Sequence, residues 1–593
     1  MEVIQDIDYL AEESQLLGKR KLQTSIFTAD TQYLDKVGRD TFYGFWATHS
    51  HRIFRDEEFS EIYCQDNGRE SVPPSILAVA LLLQSYERVS DNEVVSRATF
   101  DNRWSVALGT EPCAQPFAKS TFQLFRAKLH LNEKARAIFE RSLTYARELG
   151  FLKNRKMKVA LDSTPIFGKG AVKDTYNLLA DGIRKLVAVL EKVSAGGLSQ
   201  WLYERIERYF GKSLKGEAAI DWNDVCARQA LLDTLVSDVK SLLQLAADHQ
   251  QHLPEDDPQR EKLQESMRLL SCLVEQDVEE DSSGKVNLKQ GVSKDRIVSV
   301  HDPEMRHGRK SKSKRFDGHK GTIAVDTETQ LITATDVIAG NGSDSKNALA
   351  LCEQSENNTG SEVETAIGDT AYGTGELRKD FAEAEINLVA KAPPLTGPEN
   401  FKKEDFEIDL ENDSVTCPAG HTTTKLRHQG HYMRRDGTKV LGKVFMFDDA
   451  VCGQCQWYQQ CGSSNKGRGR TISIHPDEAF LQEARAFQKT ETFKEQYRER
   501  IAVEHRIARL IQLGARKSRY FGREKTAFQL AMAAAVANFT LMAAWQVQNR
   551  DDSLLMLTFA LAIICVFVRL TSVRTFVSRW PGKVQLFAYK MAS

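Results

Sequence analysis

Two short apolar runs each hand an aspartate to a turn: Lys156 to Leu161 (KMKVAL) leads into Asp162-Ser163-Thr164-Pro165, and Val363 to Gly368 (VETAIG) into Asp369-Thr370-Ala371-Tyr372-Gly373. Short apolar runs bounded by turn signals read as buried strands, so each acid is expected where its strand ends at the rim of a sheet. His319 to Asp326 (HKGTIAVD) and Leu331 to Val337 (LITATDV) flank Thr327 to Gln330 as a hairpin. Ser345 to Gln354 and Gly375 to Ala384 read as helices, and Asn387 to Ala390 as a further strand. Strand, hairpin, helix, strand, helix, strand and a late long helix describe a mixed α/β chain, a mixed sheet flanked by helices.

At 593 residues the chain exceeds one ordinary core and should divide into about three or four domains. Hydrophobic residues at 41% and charged residues at 27% exclude general disorder. The net charge of -1 gives no global pull toward nucleic acid, so any such affinity must come from local patches. One patch is Lys310 to Lys320 (KSKSKRFDGHK), with Lys310, Lys312, Lys314 and Arg315 following Arg306 and Arg309. It suits a flexible phosphate-tracking segment as well as a solvated surface loop. A second patch holds Arg516, Lys517, Arg519, Arg523 and Lys525, and Glu275 to Asp281 (EQDVEED) is an acidic counterweight.

Ten cysteines in this length do not make a disulfide scaffold, and the acidic start MEVIQDIDYLAEES is no secretory signal. A reducing cytoplasm is the expected compartment. Leu554 to Val568 (LLMLTFALAIICVFV) is uncharged but falls short of the ~20 apolar residues a spanning helix needs. A buried terminal helix or an abnormal tail is the preferred reading of it, and membrane contact the lesser one.

From about Phe45 to Leu131 the pattern is helical. Pro73 and Pro74 precede an apolar helix, Ser75 to Tyr86, which must be buried. Asp91 is expected to cap the next helix and Ser120 another, whose Arg126 and Lys128 could meet a phosphate. A bundle used for packing or dimerisation fits this segment as well as a DNA-binding one. Helical segments from about Thr175 to Val278 look inserted behind the first strand.

Phosphoryl transfer on DNA needs two divalent cations about 3.5 to 4 Å apart, and Mg²⁺ takes hard oxygen ligands. A lone strand-end aspartate is ordinarily a turn former; two of them weaken that reading for Asp162 and Asp369. A third acid, Glu504, lies in the helical run KEQYRERIAVEHRIARLIQLG, on a face shared with Tyr497, Arg500, Ile501, Ala508 and Ile511. That face is expected to set it among apolar neighbours, and on its own it reads as a salt bridge to Arg500. Asp326, also at a strand end, is the main competitor for a metal-site acid. Glu495 and Glu499 fall on other helix faces.

Cys417-Pro418-Ala419-Gly420-His421, Cys452-Gly453-Gln454-Cys455 and Cys461 form a second constellation. A Cys-x2-Cys knuckle with two more thiolates suits one structural Zn²⁺, and the gap from Cys417 to Cys452 could supply the strands of a zinc ribbon. Reduced cytosolic thiols are the plainer account, and His421 is an alternative ligand.

Asp162-Ser163-Thr164-Pro165-Ile166 with Gly168-Lys169-Gly170, then Gly368-Asp369-Thr370-Ala371-Tyr372-Gly373, then Tyr497-x2-Arg500-x3-Glu504 resemble the signatures of DDE transposases from bacterial insertion sequences. Leu81-Leu82-Leu83 and Ser90-Asp91 resemble that group's N-terminal domain. The element order resembles the RNase H-like fold. The likeness covers about Phe45 to Ala544.

It implies that Asp162, Asp369 and Glu504 bind two Mg²⁺, with Mn²⁺ as substitute, and that Tyr497 and Arg500 contact DNA. Double-stranded DNA is the implied partner, a homodimer the implied assembly, and the nucleoid of a bacterial cytoplasm the implied location. Where many relatives carry a lysine this chain has Ile511, so that contact must come from elsewhere, Arg516 or Lys517 being nearest.

The expected organisation is an extension, 1–44; a helical N-terminal domain, 45–150; core segments 151–175, 290–395 and 476–548; a helical insertion, 176–289; a β-rich insertion, 396–475; and a hydrophobic tail, 549–593. A nuclease that cuts without joining and a non-catalytic DNA-binding protein are the rival functions.

Overall fold

The computed structural model describes residues 17–20, 27–63, 69–132, 134–153, 155–194, 200–311, 313–395, 401–434, 437–461 and 468–549. Lys312 and the apolar tail Leu554 to Val568 lie outside the described residues. The chain divides into two compact units, Met1–Lys134 with Val536–Ser593, and Ala135–Ala535.

In the first unit, helices at Phe42–Ile53, Pro74–Glu87, Asp91–Phe100 and Lys119–Leu131 bury an aromatic core. Trp46 meets Phe539 edge-on at 4.8 Å and Phe59 meets Phe125 at 5.7 Å. Pro74–Glu87 is apolar on nearly every side and is buried from Leu77 through Gln84, as its composition requires.

The helix starts differ from expectation. Ser90 caps Asp91–Phe100 through a capping box with Glu93, which leaves the Asp91 carboxylate for Arg126, at 2.8 and 2.9 Å, and for Gln84 and Gln123 at 2.8 Å. Lys119–Leu131 starts one residue before Ser120, after Ala118. Arg126 is thereby spent inside the unit, and Lys128 lies over the Tyr63 ring at 4.2 Å. The pair expected to meet phosphate instead fastens helices together.

The second unit is built on one six-stranded mixed sheet. Its strands are β1 (Met157–Phe167), β2 (Arg306–Arg309), β3 (Arg315–Asp326), β4 (Ile332–Ala339), β5 (Val363–Ile367) and β6 (Asn387–Val389). β3 runs antiparallel to β1 along its length, from Val159 opposite Asp326 to Phe167 opposite Gly318. On its other side β3 pairs with β4 and, near its start, with β2. β1 pairs in parallel with β5, and β5 with β6. An antiparallel hairpin on one side of the first strand and parallel strands on the other are consistent with an RNase H-like core.

Gly318 is required at the crossing of β1 and β3, with φ +151 and a position where a Cβ would strike the Ile166 carbonyl. β1 runs five residues beyond Asp162, so that acid lies within a strand rather than at its end. The long partner β3 supplies backbone hydrogen bonds through Phe167, and these carry the strand past a Ser-Thr-Pro that alone signals a turn.

Between β1 and β2 the chain makes three long helices, Thr175–Val193, Val225–His252 and Pro258–Asp277, packed through Ile183, Leu186, Leu235, Leu242 and Leu270. Asp277 at the far end binds Arg296 at 2.6 Å and accepts from Thr175 Oγ1 at 2.8 Å, so entry and exit of this excursion are fastened together. A small β module follows β6, with one three-stranded sheet at 407–423 and another at 426–474. Among the described residues one helix, Arg523–Asn549, is long and apolar enough to cross a membrane, and 67% of its apolar window is buried, as the core helix of a folded domain would be.

Candidate active site

The parallel pairing of β1 with β5 sets two of the acids side by side. Ala160 pairs with Ile367, and Asp162 and Asp369 each stand two residues further along. The pairing itself ends at Ile367, but Asp162 still feels the charge of Asp369, so the two carboxylates are neighbours at one rim of the sheet. Asp369 also caps the short turn Thr370–Tyr372 by accepting from the Ala371 amide at 2.8 Å. The turn-former role expected of a strand-end aspartate therefore coexists with its place in the site.

Glu504 arrives by a separate route. The helix Glu491–Arg498 buries Phe493 against Ile367 and Val389, the last residues of β5 and β6. The chain bends at Glu499, whose carboxylate takes Lys158 Nζ of β1 at 3.1 Å and Thr327 Oγ1 of the hairpin turn at 2.9 Å. The next helix, Ile501–Gln512, then lays Ala502, Val503 and Leu510 inward.

Glu504 is consequently on the outer face, with a side chain 52% exposed, and not among apolar neighbours. The face expected for burial carries Ile501, itself exposed, because the sheet takes the opposite side of the helix.

Arg500 joins the three acids. Its guanidinium donates to Asp162 at 3.2 Å and to Glu504, and it feels Asp369 as well. Tyr497 stacks on Phe493 at 5.3 Å, with Lys391 Nζ 4.9 Å from its ring and the Arg500 guanidinium 5.9 Å from it. Burial raises the Tyr497 hydroxyl pKa, with Arg500 opposing and Asp369, Glu504 and Asp162 adding to the rise.

Burial likewise lifts the Asp162 carboxyl to about 6, while the Ser163 amide and Arg500 pull down and Asp369 and Asp344 push up. Arg500 is thus a partial counterion to an acidic cluster. Among the described residues no three His, Cys, Asp or Glu side chains are gathered tightly enough to grip an ion as they stand.

Two neighbours lie outside the site residues expected from the sequence. Asp344, in a Gly-Ser-Asp-Ser stretch, accepts from Ser163 Oγ and Lys320 Nζ, each at 2.8 Å, and so borders Asp162. Tyr372 is fully buried, with an unpartnered hydroxyl and with Asp162, Asp344 and Asp369 in electrostatic reach. Only the Tyr in the Asp369 block hinted at the second; nothing but tertiary proximity reveals the first.

Asp326, the competing acid, is fully buried, held by Arg155 at 2.8 and 2.9 Å and by Thr329. It stands at the opposite end of the β1–β3 register from Phe167, and closes the β3–β4 turn. Arg516 donates to Thr164 Oγ1 at 3.2 Å and to the Pro165 carbonyl at 3.3 Å, fastening the chain after Glu504 to β1. Lys517 is exposed beside it.

The described part of the basic run forms the exposed tip of a hairpin. Arg309 pairs with Arg315 in an antiparallel hairpin, and the Lys310 amide donates to the Lys314 carbonyl at 2.9 Å, leaving the side chains of Lys310, Lys314 and Arg315 exposed.

The four cysteines Cys417, Cys452, Cys455 and Cys461, with His421, line one cavity of the β module. Burial raises the Cys461 thiol pKa, against the pull of Arg470, and the other three cysteines add to the rise.

Residues 416–543 match the family described as Transposase DDE domain, a span that takes in the four cysteines, Tyr497, Arg500 and Glu504. Residues 35–128 match a second family, described as Transposase domain (DUF772), over the helices of the first unit. No curated protein matches the chain. Two transposase families, matched in order over separate stretches of the chain, support its likeness to the DDE transposases of insertion sequences.

Proposed function

We propose that this chain cuts DNA at the ends of an insertion sequence and joins the freed ends to target DNA, on a core of the RNase H-like kind. The observation that carries the reading is that Asp162 and Asp369, each two residues beyond the paired Ala160 and Ile367, feel one another's charge, with Arg500 linking Asp162 to Glu504.

Three carboxylates are hard oxygen donors and fit Mg²⁺, or Mn²⁺ in its place. Burial raises the Asp162 carboxyl to about 6, and the neighbouring Asp369 and Asp344 add to the rise. Two such ions, when bound, would activate the attacking oxygen and ease departure of the leaving one.

The chain's own groups do the rest. Asp162 and Asp369 at the sheet rim and Glu504 on the helix Ile501–Gln512 would hold the ions once drawn together. Arg500 exchanges carboxylate for phosphate, since its planar fork matches both. Tyr497, fixed by Phe493, offers ring and hydroxyl to the backbone beside the cleavage point, and exposed Lys517 adds the positive charge missing at Ile511. Water first breaks a phosphodiester at the element end, leaving a 3′-hydroxyl. That hydroxyl then displaces an oxygen of a target phosphodiester, with no net loss of phosphoester bonds in the second step. Bringing two ends together calls for a dimer on double-stranded DNA, in the bacterial nucleoid.

The test incubates the full chain with labelled DNA carrying the flanking terminal repeats and a plasmid target, with and without Mg²⁺. Joined product that disappears in Asp369→Asn is expected. Nicked DNA without joining would leave a nuclease. Full Mg²⁺-dependent cleavage by Asp369→Asn would overturn the assignment of the acids.

A further inference from the structure

Four cysteines from three separated stretches of chain meet in the β module. Cys417 opens the turn Cys417-Pro418-Ala419-Gly420, closed by the Gly420 amide donating to the Cys417 carbonyl at 2.8 Å, with Gly420 at φ +82. Cys452 lies in the helix Asp449–Gly453, the Cys455 amide donates back to the Cys452 carbonyl at 3.1 Å, and Cys461 ends the helix Tyr458–Cys461. All four are free and half-buried, around a cavity of about 40 Å³ walled by Phe401, Phe447 and Trp457.

We propose that Cys417, Cys452, Cys455 and Cys461 hold one structural zinc ion that staples the β module together. Four thiolates satisfy a tetrahedral ion completely and leave no open position, so the ion is structural rather than catalytic. His421 is exposed, which makes it a poorer fourth ligand than half-buried Cys461.

Arg470 supplies two contacts that suit thiolate ligands. The Arg470 amide donates to Cys452 Sγ at 3.5 Å, the kind of outer bond that orients a ligand and spreads its charge. The Arg470 side chain lines the same cavity and offsets the negative charge of a tetrathiolate centre. Binding displaces the thiol protons to solvent and requires the side chains to turn inward about χ1, since they are not yet gathered around a point.

The described apolar core of the module is small. Its fully buried apolar residues are Phe406, Val415, Phe445, Phe447, Ile472 and Ile474, shared between two small sheets. A core of that size ordinarily needs a metal or a disulfide. The ion would tie the turn after the strand Ser414–Thr416 to the two short helices that follow Lys439–Met446.

The test measures metal in the full chain, purified under reducing conditions without chelator, by mass spectrometry of the elements. About one zinc per chain is expected, by the stoichiometry of a closed four-ligand site. Cys452→Ser with Cys455→Ser should lose it, and Cys226→Ser, in the helical insertion, should keep it. Exchange of Co²⁺ into the unmutated chain should give the intense visible bands and sulfur-to-metal charge transfer of tetrahedral thiolate coordination, a readout independent of whether the double variant folds. Four freely titrating thiols with no bound metal, a disulfide among the four, or zinc retained by the double variant would each overturn the proposal.

Discussion

Asp162 and Arg500 set the chemistry of the rim at the scale of single residues. Burial keeps the Asp162 carboxyl at about 6, and Arg500 is one of the groups that hold it from rising further. A divalent cation binds the ionised carboxylate, so affinity for Mg²⁺ or Mn²⁺ should fall as the pH is lowered through about 6. Calorimetric titration across that range checks it, and Arg500→Gln should move the midpoint upward. The same shift has a consequence for stability. Between the ordinary carboxylate range and about 6 the native state keeps a proton that the unfolded chain has released, so this group's contribution declines as the pH rises through that window. The sequence showed all three acids and Arg500, because each stands in a recognisable local block. It did not show that Arg500 bridges Asp162 and Glu504, nor that Asp344 borders them, since those contacts join residues far apart in the chain.

At the scale of elements, ion pairs buried between helices and strands position what the site needs. Asp326 is fully buried against Arg155, and Asp326→Ala should cost about 3–5 kcal/mol by leaving that guanidinium uncompensated. Urea unfolding of the variant should show the loss, with cleavage persisting wherever the protein remains folded; a selective loss of cleavage without loss of stability would instead make Asp326 part of the chemistry. In the first unit Arg126 holds the Asp91 carboxyl well below the usual range by a charge-assisted bond, with Gln123 and Gln84 adding to it against burial. Asp91→Ala should destabilise that unit by about 1–3 kcal/mol. The stability Asp91 confers is present above the unfolded carboxylate pKa and is lost as the pH falls below it, which acid titration of the variant beside the parent chain would reveal. Periodicity made these helices legible; which of their polar residues face one another was not, because that depends on how the helices cross. Strand ends were misjudged at Asp162 for a related reason, since β3 prolongs β1 by pairing with it.

At the scale of the whole molecule, a chain of net charge -1 must concentrate its positive charge to hold DNA. The exposed tip of the β2–β3 hairpin, Lys310, Lys314 and Arg315, is one such concentration. Replacing the three by alanine should weaken binding alike on all sequences and reduce the slope of log affinity against log salt by roughly 1 for each phosphate no longer neutralised; an unchanged slope would remove the hairpin from the DNA path. By itself the sequence determined the alternation of strands and helices, the helical excursion after β1, the apolar N-terminal helix and the three acidic blocks, because all of these are written in local composition and spacing. Only the tertiary structure decided which acids share a rim, that Glu504 faces outward beside Arg500, that Asp326 and Arg126 are fastenings, and that four distant cysteines line one cavity. The physical reason is common to them: register between parallel strands, the side a helix turns to a sheet, and the partner a charge finds all arise between segments remote in sequence.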